Sequence, residues 1–126
     1  MRIRGIILAG GSSKRMGRNK LSMELGGKTI LDTVIDNAKE SCLDEVVLIY
    51  GKYKTTAKVQ KIYNPNYEEG MSTSIITGMS GFDGDAVMIL LGDMPYINAQ
   101  IIDRLYESYN NSDKNIIVPV VEGKTL

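Results

Sequence analysis

The sequence predicts an α/β domain in which a mainly parallel sheet is covered by helices on both faces. Short apolar runs at residues 3–9, 46–49 and 86–91, the last of them uninterrupted, have the pattern of strands that are buried on both faces. Amphipathic segments lie between them, and this alternation is typical of a three-layer α/β/α architecture. The 126 residues contain no linker, repeat or low-complexity segment, so residues 1–126 are expected to form one domain.

The first strand and helix are defined by their apolar spacing. Ile3–Ala9 is a buried strand that ends at a glycine pair. From Thr29 onward, apolar residues recur at helical spacing and predict a helix. Cys42 continues that spacing, so we expect it to be a buried structural thiol.

The middle of the chain contains shorter elements. Glu45–Tyr50 is predicted to be a second buried strand, and residues 61–63 a brief strand before an Asn-Pro-Asn turn. Residues 53–60 are compatible with a short helix. Ser72 is predicted to be the N-cap of another short helix.

The last third begins with the clearest strand, Ala86–Leu91, which we expect to be central in the sheet. Asn98 is predicted to be the N-cap of a helix that extends to about residue 109. Residues 116–121 form a final apolar run. Pro119 interrupts this run and favours an edge strand or a strand end.

Composition excludes several classes of function. Lys plus Arg and Asp plus Glu both count 15, so no net field attracts nucleic acid or an anionic membrane. The 126 residues contain no histidine, which excludes histidine acid–base catalysis and histidine metal ligands within this chain. The single cysteine fits a reducing compartment. The first apolar run is too short for a membrane span and lacks the shape of a signal peptide. We therefore expect a cytoplasmic protein.

A polar, basic loop follows the first strand. Its glycines, serines and cations offer backbone N–H groups, hydroxyls and positive charge to a polyphosphate. These residues are Gly10, Gly11, Ser12, Ser13, Lys14, Arg15, Arg18 and Lys20. The spacing fits neither G-x-x-x-x-G-K-[ST] nor G-x-G-x-x-G. The alternative is a solvated turn with scattered charges, but the order of the residues favours a polyphosphate site.

Asp93 directly follows the clearest strand. Ligands of parallel α/β sheets bind at the carboxyl ends of the strands, so Asp93 and the basic loop are expected to line one crevice. Mg²⁺ prefers a few carboxylates together with substrate phosphates. Considered alone, Asp93 is more typical of a turn before Met-Pro. Beside the basic loop, it is predicted to bind Mg²⁺.

Residues 69–74 form a third candidate segment, which contains Gly70, Ser72 and Ser74. Small hydroxyls, free backbone N–H groups and a glycine suit the recognition of a base or ribose, or of an anion at a helix N-terminus. The alternative is that Ser72 only caps the helix.

Three segments together resemble a known family. LAGGSSKRMGRNKL at residues 8–21 is similar to the L-A-[GA]-G-x-x-x-R-M-G-x-x-K signature of nucleotidyltransferases with a glycosyltransferase-A-like, Rossmann-related fold. Residues 70–78 resemble the G-M-x-x-S-[LI]-x-x-G segment of cytidylyltransferases, and residues 91–95 match their L-G-D-M-P. Within these enzymes, the chain most resembles the molybdenum cofactor nucleotidyltransferases.

The resemblance implies a fold of the nucleotide-diphospho-sugar transferase type and transfer of a nucleoside monophosphate to a phosphorylated acceptor. The phosphate of molybdopterin would attack the α-phosphorus of a nucleoside triphosphate and release pyrophosphate, with Mg²⁺ and without a protein nucleophile. By this resemblance, the catalytic residues are Arg15 and Lys20, which would hold the triphosphate, and Asp93, the metal ligand. The implied nucleotide-binding residues are Leu8, Ala9, Gly10, Gly11, Ser12, Ser13, Arg15, Lys20, Gly70, Ser72 and Ser74.

The nucleobase and the acceptor stay open. L-A-G-G at residues 8–11 is more typical of guanylyltransferases, whereas Gly70-Met71 indicates cytidine, so CTP is favoured and GTP is the alternative. A nucleotide-binding module without transfer activity is a second hypothesis. Transfer to a sugar phosphate or another phosphorylated acceptor is a third. A partner enzyme that accepts the finished cofactor is also expected.

Members of the resembled family are longer than this chain. After a strand equivalent to residues 116–120, they continue through a Gly-His-Pro segment, a further acidic metal ligand and acceptor-binding elements. We therefore expect the chain to lack the C-terminal part of the domain. The missing part would include a second metal carboxylate and most of the acceptor site.

Overall fold

The computed structural model describes residues 2–9, 24–25, 28–51, 58–92, 94–111, 120–121 and 124–125. The strands are β1 (Ile3–Ala9), β2 (Glu24–Leu25), β3 (Lys28–Thr29), β4 (Glu45–Tyr50), β5 (Gln60–Tyr63), β6 (Ala86–Leu91), β7 (Val120–Val121) and β8 (Lys124–Thr125). The helices are α1 (Ile30–Glu40), α2 (Met71–Met79) and α3 (Ala99–Asn110), with a 3₁₀ turn at Tyr67–Glu69. No helix in these ranges is long and apolar enough to cross a membrane.

Four parallel strands form the main sheet in the order β5-β4-β1-β6. All seven residues of β1 are buried, because it pairs with β4 on one side and with β6 on the other. Its side chains alternate between two apolar cores, as expected for a strand covered on both faces. Two antiparallel pairs, β2 with β3 and β7 with β8, lie outside this sheet.

The two cores give the domain its three layers. On one face, Ile7 and Ala9 pack with Leu48 and with buried residues of α1 and α3. On the other face, the side chains of Ile6, Leu8, Val47 and Ile49 pack together, with Ile75 of α2 against them. The predicted α/β/α arrangement, with a mainly parallel sheet and helices on both faces, is therefore confirmed.

Helices α1 and α3 begin at side-chain caps. The Thr29 hydroxyl accepts a hydrogen bond from the backbone N–H of Asp32 at 3.0 Å, and the side-chain oxygen of Asn98 accepts one from Ile101 at 3.0 Å. Each cap pairs a backbone donor that the first turn of a helix leaves free. The predicted N-cap at Asn98 is confirmed.

Charged side chains meet at the amino ends of the strands. Arg4 is 7% exposed, and its Nη1 donates to the carbonyl oxygen of Gly78 in α2 at 2.9 Å. Its Nη2 also contacts Glu45 Oε2 at 3.3 Å, and its guanidinium lies 4.7 Å from the ring centre of Phe82. Nearby, Arg2 forms an exposed ion pair that lowers the pKa of Asp83. These contacts attach the C-terminal end of α2 to β1 and β4.

The helix α2 does not begin as predicted. The sequence predicted Ser72 as its N-cap, but Gly70 occupies that position and Ser72 lies inside the helix. The φ of Gly70 is 122° and its ψ is 169°, a conformation that is essentially restricted to glycine. This backbone conformation lets the chain enter the helix two residues early and without a side-chain cap. The prediction at Ser72 was therefore wrong.

The strand β6 lies at one end of the described sheet, whereas it was expected to be central. Its run of apolar residues indicates burial of the side chains. It does not indicate how many strands pair with it. Only β1 pairs with β6 among the residues that the structure describes, and Ile89 is 37% exposed. The predicted strand at residues 61–63 is confirmed as β5. Most of the segments 53–60 and 116–121 lies outside the described residues.

Cys42 is exposed, so the prediction of a buried thiol was wrong. The helix α1 ends at Glu40, and Ser41 adopts an extended conformation that takes the chain off the helical face. The backbone N–H of Cys42 donates to Asp103 Oδ1 at 2.8 Å. Partial desolvation of the sulfur, together with a hydrogen bond to the Asp103 carboxylate, raises the pKa of the Cys42 thiol to about 11.

We expect Gly78→Ala to destabilise the domain. An alanine Cβ at this position would lie 2.5 Å from Cγ2 of Ile6, which is fully buried. The gain in helix propensity is about 1 kcal/mol, but overpacking of a core costs about 1–3 kcal/mol, so the contact should win. Urea denaturation should show a net loss of roughly 1 kcal/mol. Ile76→Ala, at a position of α2 that is 68% exposed, should change the stability by less than about 0.5 kcal/mol. A more stable Gly78→Ala would contradict this packing.

Cys42 should alkylate slowly despite its exposure. A thiol pKa of about 11 instead of 9.0 leaves about a hundredfold less thiolate at pH 8. The greater nucleophilicity of a more basic thiolate offsets about tenfold of this difference, so the net rate should be about tenfold below that of a free thiol. Asp103→Asn should accelerate the reaction with iodoacetamide. A rate profile with its midpoint near pH 9 in the unmodified sequence would show that the thiol is not perturbed.

Candidate functional site

The carboxyl ends of the four parallel strands lie along one edge of the sheet. From β1 the chain proceeds to β4 and β5 on one side, and then crosses back to β6 on the other side of β1. The direction of strand succession therefore reverses between β1 and β6. In open α/β sheets, ligands bind outside the carboxyl ends of the strands at such a switch point.

The ends of β1 and β6 are joined at this point. Leu8 pairs with Leu91, and the backbone N–H of Gly92 donates to the Leu8 carbonyl at 3.1 Å. Leu8 and Ala9 bury their side chains in opposite cores, so they can offer a ligand only backbone groups. All of the predicted loop residues and the predicted metal ligand lie outside the described part of the chain, including every loop residue implied to bind the nucleotide. Among them, the residues with an implied role are Gly10, Gly11, Ser12, Ser13, Arg15, Lys20 and Asp93.

The residues on both sides of Asp93 are anchored. Before it, Gly92 is bonded to β1 as described above. After it, the N–H of Met94 donates to the Leu91 carbonyl at 3.2 Å, and Asn37 Nδ2 of α1 donates to the Pro95 carbonyl at 2.9 Å. The chain therefore enters and leaves position 93 at fixed points beside the end of β1. Sequence reasoning missed Asn37, because nothing in a helical spacing marks which polar residue reaches a distant loop.

The helix α2 presents its N-terminal end to the same edge. Its C-terminal end is bonded to Arg4, near the beginning of β1, so α2 runs antiparallel to the strand and starts near the carboxyl edge. Gly70 and Ser72 are exposed there, whereas Ser74 is 3% exposed. Two of the three predicted residues of this segment are thus accessible to a ligand. The Ser74 hydroxyl lies in a buried contact.

That buried contact involves Asn64, which directly follows β5. Its Nδ2 donates to Thr73 Oγ1 at 2.9 Å and to Ser74 Oγ at 3.0 Å. Asn64 is only 1% exposed, so these bonds connect the end of β5 to the first turn of α2 inside the protein. The sequence indicated residues 64–66 only as a turn, because an asparagine before proline has the same local signature whether or not its side chain reaches a helix.

Charge at the start of α2 is negative. The 3₁₀ turn Tyr67–Glu69 places two exposed carboxylates, those of Glu68 and Glu69, directly before Gly70. The first turn of α2 contains no acidic residue and no basic one. Within the described ranges, no three acidic or thiol side chains come together closely enough to hold a metal ion. Asp93 lies outside these ranges, so the magnesium site stays a prediction.

Known proteins with a similar sequence include molybdenum cofactor nucleotidyltransferases and the bifunctional protein GlmU of Buchnera aphidicola, which is 32% identical over 94% of this chain and 28% of that protein. The chain is 29% identical to a probable molybdenum cofactor guanylyltransferase of Natranaerobius thermophilus, over 96% of this chain and 62% of that protein. It is also 29% identical to the molybdenum cofactor cytidylyltransferase of Escherichia coli, over 94% of this chain and 64% of that enzyme. The chain thus spans somewhat less than two thirds of the length of these two molybdenum cofactor relatives.

Solved structures with the same fold are also nucleotidyltransferases. A nucleotidyl transferase from Methanothermobacter superposes with a TM-score of 0.76 at 21% identity, covering 84% of this chain and 57% of that one. CMP:2-keto-3-deoxy-manno-octonic acid synthetase complexed with CTP superposes with a TM-score of 0.78 at 19% identity, covering 89% of this chain and 48% of that one. The fold is therefore of the nucleotide-diphospho-sugar transferase type.

A family model agrees with the motifs and the fold. The model described as the MobA-like NTP transferase domain matches residues 5–126, which is nearly the whole chain. The match includes the basic loop, the start of α2 and the turn after β6. The chain belongs to the family of MobA-like NTP transferase domains.

Proposed function

We propose that this chain is the nucleotide-binding part of a nucleotidyltransferase. It would transfer a nucleoside monophosphate from CTP or GTP to the phosphate of molybdopterin and release pyrophosphate. One observation carries the proposal: in a member of the MobA-like family, the basic loop and Asp93 are attached to adjacent strand ends at the switch point of the sheet. Relatives that use either guanylyl or cytidylyl transfer support both bases, so the base stays open.

The charges favour a division of the nucleotide between two segments. A triphosphate suits the loop at residues 10–20, where four cations offer charge-assisted hydrogen bonds. Glu68 and Glu69 would repel a phosphate at the start of α2, although the helix N-terminus by itself attracts anions. The neutral base or ribose therefore fits Gly70 and Ser72 better. This argument favours the nucleoside over an anion at that segment.

The proposed reaction is an in-line displacement at the α-phosphorus, in which the protein contributes position and charge. Arg15 and Lys20 would bind the triphosphate and stabilise the negative charge that develops as pyrophosphate leaves. Backbone N–H groups of Gly10 and Gly11 would donate to phosphate oxygens. Asp93 would hold Mg²⁺, which when bound neutralises phosphate charge. We place this chemistry in the cytoplasm, with a partner enzyme that receives the finished cofactor.

A nucleotide-binding module without transfer activity is the second candidate. The relatives are longer, and this chain spans 62% and 64% of the two molybdenum cofactor enzymes. Such a module would bind the triphosphate at the same edge of the sheet but would require another polypeptide segment for the acceptor.

Calorimetry with CTP, GTP and ATP in the presence of Mg²⁺ should detect binding of at least one of the first two. Arg15→Ala and Asp93→Ala should each lose about 1.5–3 kcal/mol, which is the contribution of a hydrogen bond to a charged group. Arg104→Ala, an exposed position on α3, is the matched control and should bind normally. If Asp93→Ala leaves Mg²⁺-dependent binding unchanged, the metal assignment is wrong. Failure to bind any triphosphate would contradict both candidate functions.

Release of pyrophosphate distinguishes the two candidates. With Mg²⁺, molybdopterin and the nucleotide that binds more tightly, the chain should release pyrophosphate and form a nucleotide-linked product. Lys20→Ala should lower the rate by at least tenfold, because a preorganised positive charge is removed from the leaving group. Binding without pyrophosphate release, with molybdopterin or with a panel of sugar phosphates, would favour the module.

A further inference from the structure

The buried side chain of Asn64 forms a polar link between the sheet and α2. Its backbone N–H donates to the Tyr50 carbonyl of β4 at 2.9 Å. Its side-chain Oδ1 accepts from the backbone N–H of Asn66 at 2.9 Å, while Nδ2 donates to the hydroxyls of Thr73 and Ser74. A backbone N–H can only donate, so the side-chain atom that faces Asn66 must be the oxygen. The orientation of the amide is therefore determined by its partners.

Thr73 continues the link to Gly70. Its hydroxyl accepts from Asn64, which leaves the hydroxyl proton for a carbonyl. Thr73 Oγ1 lies 2.7 Å from the carbonyl oxygen of Gly70 and 2.9 Å from that of Asn66. The backbone N–H of Thr73 also donates to the Gly70 carbonyl at 3.2 Å. The backbone N–H of Thr73 thus binds Gly70, whose φ of 122° sets the entry into α2, and the Thr73 hydroxyl lies within hydrogen-bond distance of the same carbonyl.

The arrangement replaces an ordinary helix cap. No side chain caps α2 at Gly70, so the position of its first turn depends on contacts made from inside the helix. A buried amide is unfavourable unless its hydrogen bonds are made, and here both Nδ2 protons and Oδ1 have partners. A satisfied buried network of this kind specifies one arrangement of the groups it joins. Here it specifies how Gly70, Met71 and Ser72 face the carboxyl edge.

We infer that Asn64 and Thr73 are positioning residues for nucleoside recognition. They hold the Gly70–Ser72 segment in the orientation that binds the base or ribose, and they do not themselves contact the ligand. The inference rests on the proposed function, which places the nucleoside at this segment. It assigns no role to Asn64 or Thr73 in binding the triphosphate, which belongs to the loop at residues 10–20.

Three threonine variants of the full chain test this role. Thr73→Val removes the hydroxyl at nearly constant shape, whereas Thr73→Ser keeps it. Thr77→Val is the matched control: Thr77 lies one turn further along α2, and its hydroxyl donates to the Thr73 carbonyl at 2.8 Å without touching Asn64. Binding is measured by calorimetry for CTP or GTP, whichever binds more tightly, and for inorganic tripolyphosphate. Amide hydrogen exchange without nucleotide reports on residues 71–74.

We expect Thr73→Val to bind the nucleotide roughly tenfold more weakly, a fold-change typical of one lost hydrogen bond, and to bind tripolyphosphate as the unmodified chain does. Thr73→Ser and Thr77→Val should retain nucleotide affinity within about twofold of the original, since the link to Asn64 remains. Among the three threonine variants, hydrogen exchange in the first turn of α2 should accelerate only in Thr73→Val. Asn64→Ala should weaken nucleotide binding and accelerate exchange in the first turn more than Thr73→Val does. If Asn64→Ala does not fold, Thr73→Val alone still tests the inference.

Three results would overturn the inference. The first is normal nucleotide affinity in Thr73→Val. The second is an equal loss of tripolyphosphate affinity, which would indicate a general structural defect. The third is equal weakening in Thr77→Val. The failure of the proposed function itself looks different, because the unmodified chain would then bind neither CTP nor GTP, whatever the exchange data show about the first turn.

Discussion

The strand β1 is buried along its whole length, because β4 and β6 pair with its two edges and helices cover its two faces. This burial joins the two apolar cores through a single strand, with Ile7 on one side and Ile6 on the other. It also places the end of β1, where the basic loop begins, beside the end of β6. The candidate site lies at the carboxyl edge because β1 and β6 are paired and end side by side there.

Local sequence patterns were sufficient to predict the elements whose structure depends only on neighbouring residues. Ile3–Ala9, Glu45–Tyr50 and Ala86–Leu91 are strands because short, mainly apolar runs suit burial in a parallel sheet. Asn98 is a cap because its side-chain oxygen bonds the backbone N–H three residues further on. Where the outcome depended on distant partners, the patterns were insufficient. The number of strands beside β6 is not encoded in β6 itself. Cys42 kept the helical spacing, although the helix had already ended.

In the candidate site, too, the sequence revealed the local motifs but not the contacts between distant residues. Glycines, cations and an aspartate at the ends of predicted strands were visible as a motif, since their chemistry is concentrated in short segments. The buried partners were not visible. Asn64 reaches Thr73 across nine positions of the chain, and Asn37 reaches Pro95 across 58. Ser72 and Ser74 have the same side chain, yet one is exposed and the other buried, because the helix begins at Met71 and turns Ser74 towards Asn64.

The helix α2 is held at both ends by polar side chains, one in the strand β1 and one directly after the strand β5. Arg4 holds Gly78 at the amino edge, and Asn64 holds the first turn at the carboxyl edge. With nine residues, α2 is about 13 Å long, so a tilt of about 5° around one end displaces the other by roughly 1 Å. A displacement of that size at a binding segment is enough to lower catalytic rates by about a hundredfold. A tilt of α2 at the Arg4 contact would therefore move the start of the helix at the carboxyl edge without changing any residue there.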